Sequence, residues 1–219
     1  MNIRDIDGLA IKGFLDAEEG KALYGHALKA SKSGPVLEIG GYCGKSTLYL
    51  GLACKKNGSV LFSIDHHRGS EEQQPGQEYF DPELFDEKQG KIDTFPLFRR
   101  AIEEADLLDT VVPMVTTSAV AARIWSTPLS MVFIDGSHTY PAGFSDYVSW
   151  SSLLVGGGIL AIHDIFLDPT KGGQAPHYIY KLAMASGLFE ELPMVKTLGV
   201  LQRRGPEDIP RELFSKRDW

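Results

Sequence analysis

Four acids and four histidines stand at or just past the ends of short apolar runs. They are Glu38 in VLEIG, Asp65-His66-His67 closing VLFSIDHH, Asp135 and His138 in MVFIDGSH, and His163-Asp164 closing ILAIHD. Such groups accept hydrogen bonds from hydroxyls, exchange protons near neutrality, or ligate a divalent cation. His138 is the candidate general base, because an unperturbed imidazole titrates near neutrality, and Asp135 is the second catalytic candidate beside it. His163 and Asp164 form a candidate metal pair of mixed carboxylate and imidazole character, with no third ligand evident from the residues alone. That character suits Mn²⁺, Fe²⁺ or Zn²⁺ better than Mg²⁺. Each residue also has a structural alternative: His138 hydrogen-bonding its loop or capping a following helix, His163 bonding inside the sheet edge, Asp164 capping a turn. His26 and His177 lie outside this set and read as a helix-face and a loop residue.

The sharpest local pattern is VLEIGGYCGKST, residues 36–47. Glycines between a strand and a helix start let a ligand approach the backbone, and the helix N-terminus offers free N–H groups. Three ligands suit that geometry. A nucleoside triphosphate loop needs a glycine five residues before Gly44, and position 39 is Ile. A dinucleotide loop reads G-x-G-x-x-G, whereas this one reads G-G-x-x-G, and Glu38 would repel a pyrophosphate. S-adenosylmethionine carries a sulfonium and an ammonium that want negative charge, a carboxylate that suits N–H groups, and a ribose diol. Glu38 and Asp135 would answer the first need and Asp65 the last, so this ligand uses every odd feature. Cys43 at the helix start is a candidate low-pKa thiol or, more simply, a packing residue. Lys45 faces solvent or the ligand carboxylate.

Positioning these residues takes a regular alternation. Strands are predicted over 36–40, 60–65, 111–116, 131–135 and 159–164, with helices over 16–30, 45–56, 96–108, 118–125, 141–154 and 176–186. Asp16 and Glu19 make a capping box for the first helix, and Asn57-Gly58 stops the second. Strands alternating with helices imply βαβ units and a parallel sheet, so the expected fold is a doubly wound α/β domain. Two closely spaced strands, 189–195 and 198–202, predict a C-terminal antiparallel hairpin. Residues 1–34 form an N-terminal helix region. Residues 66–94 are polar but carry Tyr79, Phe80 and Phe85, and predict a lid or insertion. Tyr79, Phe80, Tyr140, Phe144 and Phe166 are candidates to line an acceptor pocket.

The chain has 219 residues, enough for one domain with a lid, and its formal charge of −7 argues against a nucleic-acid or anionic-membrane binder. With 43% hydrophobic and 23% charged residues it is ordinary globular material. Its two cysteines lie in one segment, which argues against a disulfide-stapled secreted fold. No window approaches the roughly 18 apolar residues of a membrane helix. The expectation is a reduced, cytoplasmic protein without membrane or nucleic-acid partners. Oligomeric state stays open; the aromatic tail 214–219 would dock on a neighbour in a homodimer.

At these residues the chain resembles class I S-adenosylmethionine-dependent methyltransferases, in the branch near catechol O-methyltransferase and the macrocin-type sugar O-methyltransferases. Glu38 to Thr47 is similar to the first motif of catechol-type enzymes, including its Tyr-Cys-Gly, and the likeness extends over roughly residues 35–203. The resemblance implies a seven-stranded, mostly parallel Rossmann-like sheet. It also implies cofactor contacts from Glu38, Gly40, Gly41, Tyr42, Gly44, Ser46, Asp65, His66, Ser118 and Asp135. It implies an oxygen atom of a small molecule as methyl acceptor, and in many relatives a divalent cation held by the acids that here are Asp135 and Asp164. Two departures stand out: Ile165 replaces the catechol-type Asn, and His138 replaces the catalytic lysine. Two alternatives remain: a catalytically silent cofactor-binding subunit, and a Rossmann-type enzyme using NAD or ATP.

Overall fold

In VLEI every side chain is buried, the pattern of a strand covered on both faces. The computed structural model, which describes residues 3–6 and 8–205, places this run (β1, Val36–Ile39) in the interior of the sheet, with a strand on either side. The expected docking tail 214–219 lies outside the described residues. The chain proceeds through α1 (Ile3–Ile6), α2 (Ala17–Ala30), β1, α3 (Lys45–Asn57) and β2 (Leu61–Asp65). Two short 3₁₀ turns, Glu71–Gln73 and Pro82–Leu84, and the small hairpin β3 (Phe85–Asp86) and β4 (Lys91–Ile92) follow. Then come α4 (Phe95–Glu104), β5 (Val111–Val115), α5 (Ser118–Ala122), β6 (Leu129–Ile134) and α6 (Tyr140–Ser151). The last elements are β7 (Leu154–Ile162), α7 (Ala175–Ala185), β8 (Phe189–Val195) and β9 (Leu198–Arg203).

The main sheet has seven strands in the order β5-β2-β1-β6-β7-β9-β8. The first five run parallel, while β9 is antiparallel to both β7 and β8. Period-two alternation sends successive residues to opposite cores. Val36, Met131, Phe133, Ile159 and Ala161 pack with Leu23, Leu48, Tyr49 and Phe98 under α2, α3 and α4. Leu37, Ile39, Val132, Ile134 and Leu160 pack with Ala121, Trp150 and Ile179 under α5, α6 and α7. The strand order reverses between β1 and β6, which opens a crevice beyond their carboxyl ends. No helix among the described residues is long and apolar enough to cross a membrane.

Several predicted boundaries move. The capping box forms as predicted, with Asp16 accepting from Glu18 N–H and Glu19 accepting from Asp16 N–H. The last predicted turn of α5 is absent, because Trp125 packs edge-on against Phe62 and Trp150 instead. β7 starts five residues earlier than predicted, at Leu154, since Gly156-Gly157-Gly158 passes through a register shift rather than ending the strand. His177 sits in the first turn of α7, not in a loop. Within 66–94 the apolar side chains Leu84 and Ile92 bury against Cys43 in a small separate core. Lys12 clamps that segment through Asp81 at 2.5 Å and Glu83 at 2.6 Å.

Candidate active site

The glycine turn is held by its neighbours on every side. Gly40 takes φ 94°, donates to Ile64 O at 2.9 Å, and lies against the backbone of Asp135. Tyr42 and Gly44 also lie in the left-handed region, and Gly44 caps α3 without a side-chain bond, leaving the first N–H groups of α3 uncapped by a side chain. Asp65 ties the turn down: one carboxylate oxygen accepts from Tyr42 N–H at 2.8 Å, the other from His67 N–H at 2.6 Å. Asp65, Gly40, Gly41, Tyr42, Ser46 and Ser118 all border one cavity of about 1280 Å³. His66 borders it too, with its ring accepting from Arg68 N–H at 3.0 Å.

Glu38 departs from the expectation that it meets a ligand directly. It is fully buried beneath the turn, where Ser46, Thr47 and Ser63 each donate a hydroxyl hydrogen bond to it at 2.6 Å. The cause is strand parity: Glu38 points under the loop that Ile39 and Gly40 lead into. Burial pushes its pKa up to about 7 against the pull of the three hydroxyls. The folded state therefore holds this proton to higher pH than the unfolded chain. Its stabilising contribution is complete below the ordinary 4.5 and disappears as pH rises through about 7. Glu38→Gln is expected to remove that decline, which is on the order of 3 kcal/mol. Thermal melts of both proteins across this range check it; parallel pH profiles would refute it.

Beyond β6 and β7 the acids and histidines meet. His138 sits between Asp164, with Nε2 at 3.0 Å, and Glu72 of the 66–94 segment, with Nδ1 at 3.1 Å. The hydrogen bond to Asp164, opposed by burial, raises its pKa to about 9. This corrects the premise of a neutral base: in this arrangement His138 is an imidazolium donor. Reaction as a base requires Asp164 to be neutralised or engaged elsewhere first.

The metal set also changes. His163 is buried, its Nε2 faces Glu19 Oε2 at 3.0 Å, and its Nδ1 faces Asp135 at 3.1 Å and Asp164 at 3.4 Å. Burial opposes its charge, yet these three carboxylates hold its pKa far above the usual range. His163 thus lies outside the group of side chains whose ligand atoms converge. His138 takes its place, since ligand atoms of Asp135, His138 and Asp164 all lie within 4.8 Å of one another.

The remaining candidates separate cleanly. Ser118 accepts from Trp150 Nε1 at 2.7 Å at the cavity wall. Burial raises Cys43 to about 12, so it packs rather than reacts. Lys45 reaches back to Gly13 O at 3.3 Å. Tyr79 and Phe166 border the cavity, whereas Phe80 packs on Phe85 and Tyr140 stacks on Phe144. Glu19, Glu72, Asp146 and Thr197 border the cavity or hold its histidines without having been singled out for it in the sequence. Glu19 was legible only as a cap.

Residues 37–165 match the family model described as "Methyltransferase domain". Among solved structures, the O-methyltransferase TomG from Streptomyces achromogenes in complex with SAM aligns at TM-score 0.61 and 16% identity, covering 91% of this chain and 94% of that one. An O-methyltransferase from Bacillus cereus in complex with SAH aligns at TM-score 0.61 and 15% identity, covering 92% and 90%. An SAH-bound methyltransferase from Podospora anserina aligns at TM-score 0.60 and 17% identity, covering 88% and 80%. At such identities the likeness is one of fold.

Proposed function

This chain belongs to the methyltransferase-domain family, and from that premise we propose that it transfers a methyl group from S-adenosylmethionine to an oxygen of a small-molecule acceptor. The observation that carries the proposal is a single cavity bordered at one side by Asp65 and the glycine turn, and at the other by Asp135, His138 and Asp164. At about 1280 Å³ it exceeds the usual few hundred to ~1000 Å³ of a one-ligand pocket, leaving room for a donor and an acceptor together. The structures of the S. achromogenes and B. cereus O-methyltransferases hold SAM and SAH, which supports the same donor here.

The donor set suits that molecule. Asp65 would accept from the two ribose hydroxyls, and the backbone of Gly40, Gly41, Tyr42 and Gly44 would admit the amino-acid end. His66 and Ser118 would flank the adenine, with Ser46 at the rim. Bound S-adenosylmethionine supplies an electrophilic methyl carbon on a positively charged sulfur. Asp135 and Asp164 place negative charge on the acceptor side of the cavity, and His138 would hydrogen-bond the acceptor oxygen and take its proton only after losing its own to solvent, with Asp164 engaged elsewhere. A pyrophosphate would meet those carboxylates unfavourably, and Lys45 is turned to a backbone carbonyl rather than to a phosphate.

Asp135, His138 and Asp164 also fit a divalent cation, which would supply Lewis acidity toward an acceptor oxygen. Mn²⁺ titration followed by electron paramagnetic resonance is expected to show one bound ion in the wild type and none in Asp164→Asn; equal binding by both proteins removes the site.

The donor assignment is tested by calorimetric titration with S-adenosylmethionine, S-adenosylhomocysteine, NAD and ATP. Micromolar binding of the first pair alone supports it. Preference for either nucleotide, or no binding at all, rejects it.

A further inference from the structure

The geometry points to Glu19 as a positioning residue for methyl transfer: from α2 it fixes the His163 ring, and through that ring the acids Asp135 and Asp164. The purpose rests on the proposed function; the contacts do not. Glu19 is 2% exposed and His163 4%, so neither is held in place by solvent. Four donors converge on one carboxylate. Oε2 accepts from Asp16 N–H at 3.1 Å and from His163 Nε2 at 3.0 Å, while Oε1 accepts from Thr197 N–H at 2.8 Å and its hydroxyl at 2.7 Å.

A capping box alone does not explain this arrangement. A cap needs one oxygen on one N–H, at a helix end that water reaches, whereas burying a carboxylate carries a large desolvation cost. Both oxygens here are committed, and the partners come from α2, the end of β7, and the turn between β8 and β9. Parity explains the meeting. Ile159 and Ala161 face the α2 side of the sheet, and His163 continues that face, directly toward Glu19. On β6, Met131 and Phe133 share the same face, and Asp135 follows them to within 3.1 Å of His163 Nδ1. The ring is thereby held at Nε2 by Glu19 and at Nδ1 by Asp135 and Asp164, and all three acids border the cavity.

Glutamine cannot substitute. It has one acceptor oxygen and an NH₂ that donates, so either the Asp16 N–H or the Thr197 N–H is always met by another donor. The test is a ¹H–¹⁵N spectrum of histidine-ring-labelled protein at constant pH, with the His163 Nε2–H resonance assigned through His163→Gln. The resonance is expected in wild type and in Asp16→Ala, which removes the cap on Glu18 N–H and the ion pair with Lys196 but keeps the Asp16 N–H on Glu19, and is expected to be lost or displaced in Glu19→Gln. Glu19→Asp keeps the charge but withdraws it by one methylene, and gives the same readout should Glu19→Gln not fold. An unchanged resonance in the Glu19 variants overturns the inference, as does equal displacement by Asp16→Ala. Wild-type calorimetry with S-adenosylmethionine is run alongside. Absence of binding there rejects the proposed function while the His163 resonance still decides the role of Glu19.

Discussion

Gly40→Ala will yield a protein that neither melts at the wild-type temperature nor binds S-adenosylmethionine. A Cβ at position 40 would stand 2.0 Å from the carbonyl oxygen of Asp135 and 2.6 Å from its carbonyl carbon. The obstacle is backbone, so no rotamer change relieves it. Gly40 also holds φ 94°, which an L side chain rarely adopts. Relief requires β1 and β6 to part at their carboxyl ends, where Asp135 N–H donates to Ile39 O at 2.9 Å. Overpacking together with backbone strain places the loss above ~4 kcal/mol, a large part of a typical domain's stability. Denaturant unfolding of wild type and variant measures it; a loss under ~1 kcal/mol would mean the turn is more yielding than its contacts indicate.

Asp65→Ala is expected to leave a folded protein whose affinity for S-adenosylmethionine falls at least ~100-fold. Hydrogen bonds to a charged group contribute about 1.5–3 kcal/mol each, and two ribose hydroxyls would lose their acceptor. A second loss adds to this one, because Asp65 also holds Tyr42 N–H and His67 N–H and so shapes the turn that the donor must enter. Asp65→Asn separates the two: its single oxygen can keep one of these bonds, and its affinity should fall between wild type and alanine. Calorimetry on the three proteins checks the order. Equal affinity for wild type and Asp65→Ala would remove Asp65 from the ribose role.

The sheet was legible because its strands are apolar runs bounded by turn residues, and because helical patterns separate them. VLEI, VLFSID, MVFID and ILAIHD all became parallel strands, and the closing hairpin formed where two short runs lay close together. Strand ends were less legible. Gly156-Gly157-Gly158 reads as a break, yet β7 carries it by pairing Leu154 with Leu129 across a register shift.

Within the site, residue types near one strand end were legible, and their directions were not. Adjacent His163 and Asp164 cannot both follow strand alternation into the cavity, and Asp164 turns into the left-handed region at φ 57° while His163 goes toward α2. Alternation with Ala161 was the available signal. Nothing comparable points from Glu19 to His163, which are 144 residues apart, or from Glu72 to His138, which are 66 apart. Glu38 was legible as an important acid, but its three hydroxyl partners come from β2 and α3, and only the packed fold brings them together.

The most direct test of the account is a crystal structure of the protein with S-adenosylhomocysteine. It is predicted to show the ribose hydroxyls on the Asp65 carboxylate, the amino-acid end against the Gly40–Gly44 turn, and the sulfur facing the side of the cavity formed by Asp135, His138 and Asp164. A ligand bound elsewhere, or one whose sulfur faces away from those three residues, would contradict the methyl-transfer site described above.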